Sequence, residues 1–462
     1  MVTAMTSYQS IFVSATALMV SLVACDSQRP LSVRDPDVAS PGSVTGLSGL
    51  QAYRGGAEGD FAIAYVGGGD VSNGGHEGVA NFGGLFTDEM VDEETFPTRI
   101  VMNQRNAQPS NLSVGGVFQD VGQAHNDNLR GIGQYVQFSP TSPGLAELYA
   151  LDGYLYLFIA EQWCSGEPFS VIDVATGAVV NSPYLTTAQM LDTAIARFQA
   201  AEQVAAHSDT AAAAKPFGEL AVVGTARAQL DLGDVATAAA TAATFTDATF
   251  NYQIVESVNS PRQNSGIWYY NVIFPSFSEG DQKNVTGLPF VSSGDPRTAA
   301  TLGAPADQAP ESFYFNNYYQ ANGPASATTL ASYTEAQMIV AEGDLFAGNY
   351  AGALAIMNSL RASSGLSWAG ASDATLANLS GSSPKAQMQQ LLSERAYWFW
   401  VTAHRLGDWR RVLRTPYNGA PFNFVMSDVY PTGAGLFDIL EFPTPVFTNP
   451  NPNYKACDPS QP

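Results

Sequence analysis

"ARAQLDLGDVATAAA" (residues 226–240) and "AEGDLFAGNYAGALA" (341–355) align without a gap at an offset of 115 positions. In each, a helical run passes Leu230 or Leu345 and meets a glycine, Gly233 or Gly348. Asp234 or Asn349 then opens a second, alanine-rich helix. Glycine takes the left-handed conformation that closes a helix, and an Asp or Asn side chain accepts the first free N–H groups of the next. Small side chains let the two helices approach closely. The pattern predicts antiparallel helix pairs, and such pairs must stack to bury their faces.

Helical periodicity extends outward from these corners. In "LAELYALDGYLYLFIAEQW" (145–163), Leu148, Leu151, Leu155 and Phe158 recur on one face; in 186–206, Met190, Leu191, Ile195 and Phe198 do. Further helices are expected over 216–231, 234–244, 330–347, 349–362 and 384–414. The corners look like the tetratricopeptide pattern, with a generic helical hairpin as the alternative. The expected fold is mainly α, with tetratricopeptide-like pairs forming a superhelical layer. Residues 245–329 interrupt it with seven prolines and two aromatic clusters, and read as loops with short strands. From Gly67 to Gly84 there are eight glycines in eighteen residues, without Walker A or dinucleotide spacing, and this stretch reads as loop. Residues 415–462 are Pro-rich and read as non-helical. The expected organisation is an N-terminal helical part over 51–244, an insertion over 245–329 and a C-terminal part over 330–462.

The chain has 462 residues, with 20 Lys+Arg against 42 Asp+Glu and a net charge of −22. That field repels polyanions and argues against nucleic acid as a partner. The first 24 residues carry no charge, and "IFVSATALMVSLVA" (11–24) is an apolar run of 14, suited to a signal-peptide core although the preceding segment has no basic residue. It ends in Leu22-Val23-Ala24-Cys25, which resembles a bacterial lipobox with Cys25 as the lipidated residue. Residues 25–50 then read as a polar tether. Cys164 and Cys457 remain. In an exported protein they can form one disulfide, the favoured expectation because Cys457 lies in a Pro/Asn-rich tail, or stay as two separate buried thiols.

"SERAYWFWVTAHRLGDWRRVLR" (393–414) gathers five arginines and three of the six tryptophans. Arg405 and Arg411 each stand three residues from Asp408, within helical reach around a break at Gly407. Arginines spread around a helix beside acidic neighbours suit ion pairing better than phosphate tracking, so Glu394, Arg395, Arg405, Asp408 and Arg411 are expected to be structural. The segment resembles the C-terminal helix of SusD/RagB-family proteins, roughly E-R-x-x-E-x-x-x-E-G-x-R-x-x-D-x-x-R, which those five residues match. Trp398, Thr402 and Ala403 depart where the family often has Glu, Glu and Gly. "LFTDEM" (85–90), "YTEAQMIVAEGDLFAGNYAGAL" (333–354) and "EFPTPVFTNPNPNY" (441–454) resemble its other segments. The resemblance implies a lipoprotein on the outer face of the outer membrane that delivers glycans or peptides to a SusC-like TonB-dependent barrel transporter.

No catalytic or metal-binding arrangement stands out. His76, His125, His207 and His404 form no HExxH or paired-His motif, no GxSxG elbow occurs, and neither a metal site nor an enzyme activity is expected. The acidic run Asp88, Glu89, Asp92, Glu93, Glu94 lacks a calcium-loop pattern and reads as a solvated helix start. Binding chemistry is better represented. Sugar C–H faces stack on rings while hydroxyls need Asn, Asp and Arg. Trp268, Tyr269, Tyr270, Tyr314 and Tyr318, beside Asn316 and Asn317, supply that mixture, with Phe96 and Arg99 as further candidates. The competing reading is a helical scaffold lipoprotein that assembles envelope proteins and binds no small ligand.

Overall fold

A computed structural model of the protein describes residues 46–69, 76–163, 165, 168–173, 176, 178–281, 287–303, 312–363, 379–380, 383–429 and 451–453. Cys25, Cys164, Cys457 and most of the 441–454 segment lie outside the described residues. The first helices are α1 (Leu50–Val66), α2 (Val79–Phe86), α3 (Pro97–Asn103), α4 (Leu112–Phe138), α5 (Pro143–Gln162), α6 (Thr187–Ala206), α7 (Ala211–Asp231) and α8 (Val235–Ala243). After the irregular middle come α9 (Asn317–Asn322), α10 (Tyr333–Phe346), α11 (Tyr350–Ala362), α12 (Pro384–Trp398), α13 (Arg405–Val412) and α14 (Met426–Val429). Among the described residues the strands occur only as short antiparallel pairs, and no helix is long and apolar enough to cross a membrane.

The fold is mainly α, built from tetratricopeptide-like pairs. Helix α4 packs on α1 and α5, then α5 on α6, α6 on α7, α7 on α8, α8 on α10, and α10 on α11 and α12. The two repeated corners have the same hydrogen bonds. Gly233 (φ +82°) and Gly348 (φ +76°) are left-handed. Their N–H groups donate to Leu230 O and Leu345 O, and the next residues, Asp234 and Asn349, donate to Gln229 O and Asp344 O. This is the Schellman closure. The Asp234 and Asn349 side chains then accept from Thr237 N and Gly352 N, so one residue ends one helix and caps the next. Close packing follows from small residues: a Cβ on Gly153 of α5 or on Gly224 of α7 would lie 2.6 or 2.5 Å from the buried Phe198 ring of α6.

Three expectations are corrected. The glycine-rich stretch is not all loop, because Val79–Phe86 is a wholly buried helix. A Cβ on its Gly84 would stand 3.2 Å from Val401, so this glycine serves close approach rather than a turn. The expected helix over 384–414 divides before Arg405 rather than at Gly407, which lies inside α13. In the interval, Val401 (φ +50°) and Ala403 (φ +62°) are left-handed. Surrounding side chains hold the interval in place: Gln162 Nε2 donates to Ala403 O at 2.9 Å, and Trp400 Nε1 to Glu89 O at 3.1 Å. Finally, the C-terminal stretch does contain a helical turn, α14.

Candidate functional site

Ser265 opens the irregular site, its hydroxyl accepting from Trp268 N at 3.3 Å. One α-helical turn, Gly266–Trp268, passes directly into a π-helical turn, Tyr269–Ile273. Phe274 N closes the wider turn on Tyr269 O. Such π turns are rare and frequent at functional sites. This one places Asn271 inward, where its Nδ2 donates to Phe277 O (2.8 Å) and Tyr314 O (3.2 Å) and its Oδ1 accepts from Asn316 N (2.9 Å). Asn316 in turn donates to Glu279 Oε2 and caps α9 through Tyr318 N and Tyr319 N. Two asparagines thus join the strands Phe277–Glu279 and Tyr314–Asn316 to the aromatic turn.

Arg99 approaches from α3. Its Nε donates to Glu77 at 2.6 Å, Nη1 to Glu94 at 2.7 Å and Nη2 to the Tyr270 hydroxyl at 2.9 Å. Its guanidinium lies 4.6 Å from the Tyr270 ring centre and 4.9 Å from that of Phe96. The Tyr270 ring stacks on Phe277 at 4.7 Å, and burial pushes its hydroxyl pKa upward. Nearby Asp92 is pushed up to about 8 by burial and by Glu94, against the pull of Arg99.

The sequence candidates therefore converge from positions 96 to 318, with their roles divided. Tyr269 (3% exposed), Tyr270 (0%) and Arg99 (5%) are buried and form the bed of the site. The Arg99 guanidinium bonds the Tyr270 hydroxyl and the neighbouring carboxylates, and the Tyr269 ring packs on Tyr270 and Phe274. Trp268, Tyr314 and Tyr318 are half-buried, and the Tyr318 hydroxyl donates to Ala327 O at 2.8 Å. The exposed surface belongs to Phe96 (47%), Ile273 (50%) and Phe274 (38%), with Phe96 edge-on to Phe274 at 6.5 Å. Ile273 and Phe274 were not singled out in the sequence, because only the wider turn carries them outward.

The acidic run is also corrected. Asp88, Glu89 and Glu93 are buried, and Met90–Asp92 is a strand rather than a helix start. Asp88 pairs with Arg105 at 3.0 Å. Glu89 accepts from Thr87 and from Val401 N, and burial, opposed mainly by Arg405, pushes it up to about 7.

A second polar centre lies among α7, α10, α12 and α13. Arg395 grips Asp408 with two hydrogen bonds of 2.8 and 2.9 Å. Arg411 bonds Asp408 at 2.8 Å, Asp231 at 3.1 Å and Glu342 at 3.2 Å. Burial opposes ionisation of Asp408, yet Arg395 and Arg411 hold it well below the usual carboxylate range. Glu394 bonds Arg297 at 2.8 Å, and Arg410 Nη1 binds the last carbonyls of α5 at Ala160, Glu161 and Trp163. Arg405 is buried over the Phe290 and Trp409 rings at 5.3 and 5.1 Å, with Glu89, Asp88 and Asp408 among the carboxylates that act on it.

Solved structures share this fold. A SusD/RagB family protein from Bacteroides thetaiotaomicron superposes with a TM-score of 0.56 at 14% identity, covering 80% of this chain and 91% of that one. A SusD superfamily protein from Bacteroides vulgatus also gives 0.56 at 14% identity, over 89% and 99%. The chain has the SusD-superfamily fold. A third structure with that fold, a SusD-like carbohydrate binding protein from Bacteroides vulgatus, gives 0.55 at 16% identity over 79% and 84%. The sequence itself matches no family model and no curated protein.

Proposed function

We propose that this protein is an outer-membrane lipoprotein that captures a glycan and delivers it to a SusC-like TonB-dependent transporter, without catalysis of its own. The convergence of Phe96, Phe274, Trp268, Tyr314 and Tyr318 around two buried asparagines, on a SusD-superfamily fold, carries this reading. Exposed ring edges offer stacking surfaces for sugar C–H faces, and Asn317 and the half-buried Tyr314 supply polar neighbours. The insertion over 245–329 is then the ligand-bearing part, the helical pairs its support. Peptide is the second ligand class, favoured by the apolar Phe96–Ile273–Phe274 edge. Cys25 is the proposed anchor, and Cys164–Cys457 the proposed disulfide.

Titration calorimetry with oligosaccharide and peptide panels tests the ligand, and purification from native membranes tests the transporter. Saccharide binding lost in Phe274→Ala, together with a co-purifying barrel, supports the proposal. Binding of neither class, or purification without a barrel, removes it. Cys25→Ala is expected to leave the membrane fraction; retention with unchanged acyl labelling excludes the anchor.

A further inference from the structure

Away from the aromatic turn, a cleft of about 370 Å³ opens beside α1, α5 and the strand Asn251–Ile254. None of the seven sequence-predicted ligand residues lines it. Its volume falls in the range of small-molecule sites, about 300–1,000 Å³. Ile63, Leu151 and Ile254 give it an apolar wall, and Val255, 71% exposed, is among its lining residues. Its charges are three carboxyl groups, Glu58, Glu147 and Glu256, against the single guanidinium of Arg54.

Arg54 is already committed. It pairs with Glu58 at 2.7 Å and with Glu147 at 2.5 Å, and the Tyr252 hydroxyl donates to the other Glu147 oxygen at 2.7 Å. Glu256 has no comparable partner. It is only 5% exposed, and its Oε1 is buried without a hydrogen-bond donor. Burial alone accounts for its upward shift to about 8. The loop after it is closed by Ser257 N donating to Gln263 O at 2.9 Å, a bond between backbone groups that makes no use of the carboxyl. A buried carboxyl without a partner is costly. A glutamine would fill the same space, so the fold gains nothing from the charge.

We infer that this cleft binds a primary ammonium group on an aliphatic stem, with Glu256 as its counter-ion. The stem lies against the apolar wall and the excess of carboxylates favours a cation. A bare metal ion fits poorly, because no three metal-ligating side chains converge among the described residues. A free alkylamine and a lysine side chain share the required chemistry. This site is independent of the glycan proposal.

The test is calorimetric titration of the full-length protein with n-hexylammonium and with a blocked Gly-Lys-Gly peptide, using n-hexanol as the uncharged control. Wild type is expected to bind at least one amine and to ignore hexanol. Binding of hexylammonium alone assigns a free amine, and binding of the peptide assigns a lysine side chain. Glu256→Gln is expected to melt at or above the wild-type temperature and to lose affinity by about tenfold or more. Val255→Arg, an exposed change that puts a cation in the cleft lining, should lose binding without loss of folding. No amine binding at millimolar concentration, equal binding by folded Glu256→Gln, or equal binding of hexanol would overturn the inference.

Discussion

Arg99 and Arg411 are both buried, both bond more than one carboxylate and both lie beside a tyrosine, yet they belong to different kinds of site. Around Arg411, the partners Asp231, Glu342, Asp408 and Tyr417 come from several helices and the loop after α13, and all four are buried. Around Arg99, the partners Glu77, Glu94 and Tyr270 fill one side while the exposed Phe96 ring covers the other. The first arrangement ties helices together; the second stiffens a surface. Residue type alone does not separate the two. What separates them is whether one wall of the cluster is open.

Breaking the closed cluster should have the largest effect. Asp408→Ala removes the carboxylate that Arg395 grips with two hydrogen bonds, while Arg411 keeps Asp231 and Glu342, a loss of about 3–5 kcal/mol. Urea unfolding should show it, while ligand affinity of the folded fraction stays unchanged. The Asp408 contribution also has a pH signature. Its folded pKa lies below its ordinary value of 3.8, so the stabilisation is complete above 3.8 and lost as pH falls through the lower folded value. Asp408→Ala should flatten that acid limb. A variant with wild-type stability but weakened ligand binding would make this centre a binding site and dissolve the contrast.

On the open side, Phe274→Ala removes an exposed ring edge. If one ring–ligand contact contributes about 1–2 kcal/mol, affinity drops roughly 5- to 30-fold with little change in melting temperature. Tyr270→Ala should lower melting instead, because that ring is core. Should Phe274→Ala bind normally, the exposed edge is not the ligand surface. Glu256 gives an opposite pH dependence from Asp408. Its folded pKa is raised from 4.5 to about 8, so stability falls as pH rises through that interval, and Glu256→Gln should remove that decline.

The repeated corners were legible because their information is local: Gly233 with Asp234 and Gly348 with Asn349 carry closure and capping within a few residues. The aromatic cluster was legible as composition, since no helical stripe explained its rings. Their exposure was not, because a π turn has no sequence signature and it decides that Phe274 faces solvent while Tyr270 does not. The acidic run misled for a different reason. Adjacent like charges suggest solvent, but Asp88 and Glu94 find Arg105 and Arg99 through tertiary folding. The glycines at 83 and 84 hid helix α2, although Gly84 gives Val401 room rather than making a turn.

The smallest expected effect sharpens the closed side of the comparison. Ala403, 2% exposed, holds φ +62°, and its carbonyl accepts from Gln162 and Arg227. The resembling family often has glycine at this position. A left-handed conformation costs a non-glycine residue about 1–2 kcal/mol, while removing one buried methyl forfeits up to about 0.8 kcal/mol. Glycine also adds freedom to the unfolded chain, but alanine at positive φ is penalised by more than that entropy. Ala403→Gly should therefore stabilise by about 0.5 kcal/mol, seen as a higher urea midpoint with unchanged slope. Val401, at φ +50°, is the control. It is fully buried, with its methyls facing Gly84, so Val401→Gly loses about 1.5–3 kcal/mol of burial and should destabilise despite the same backbone relief. If both variants lose stability, the interval before α13 is held by its side chains alone and the backbone strain at Ala403 is negligible.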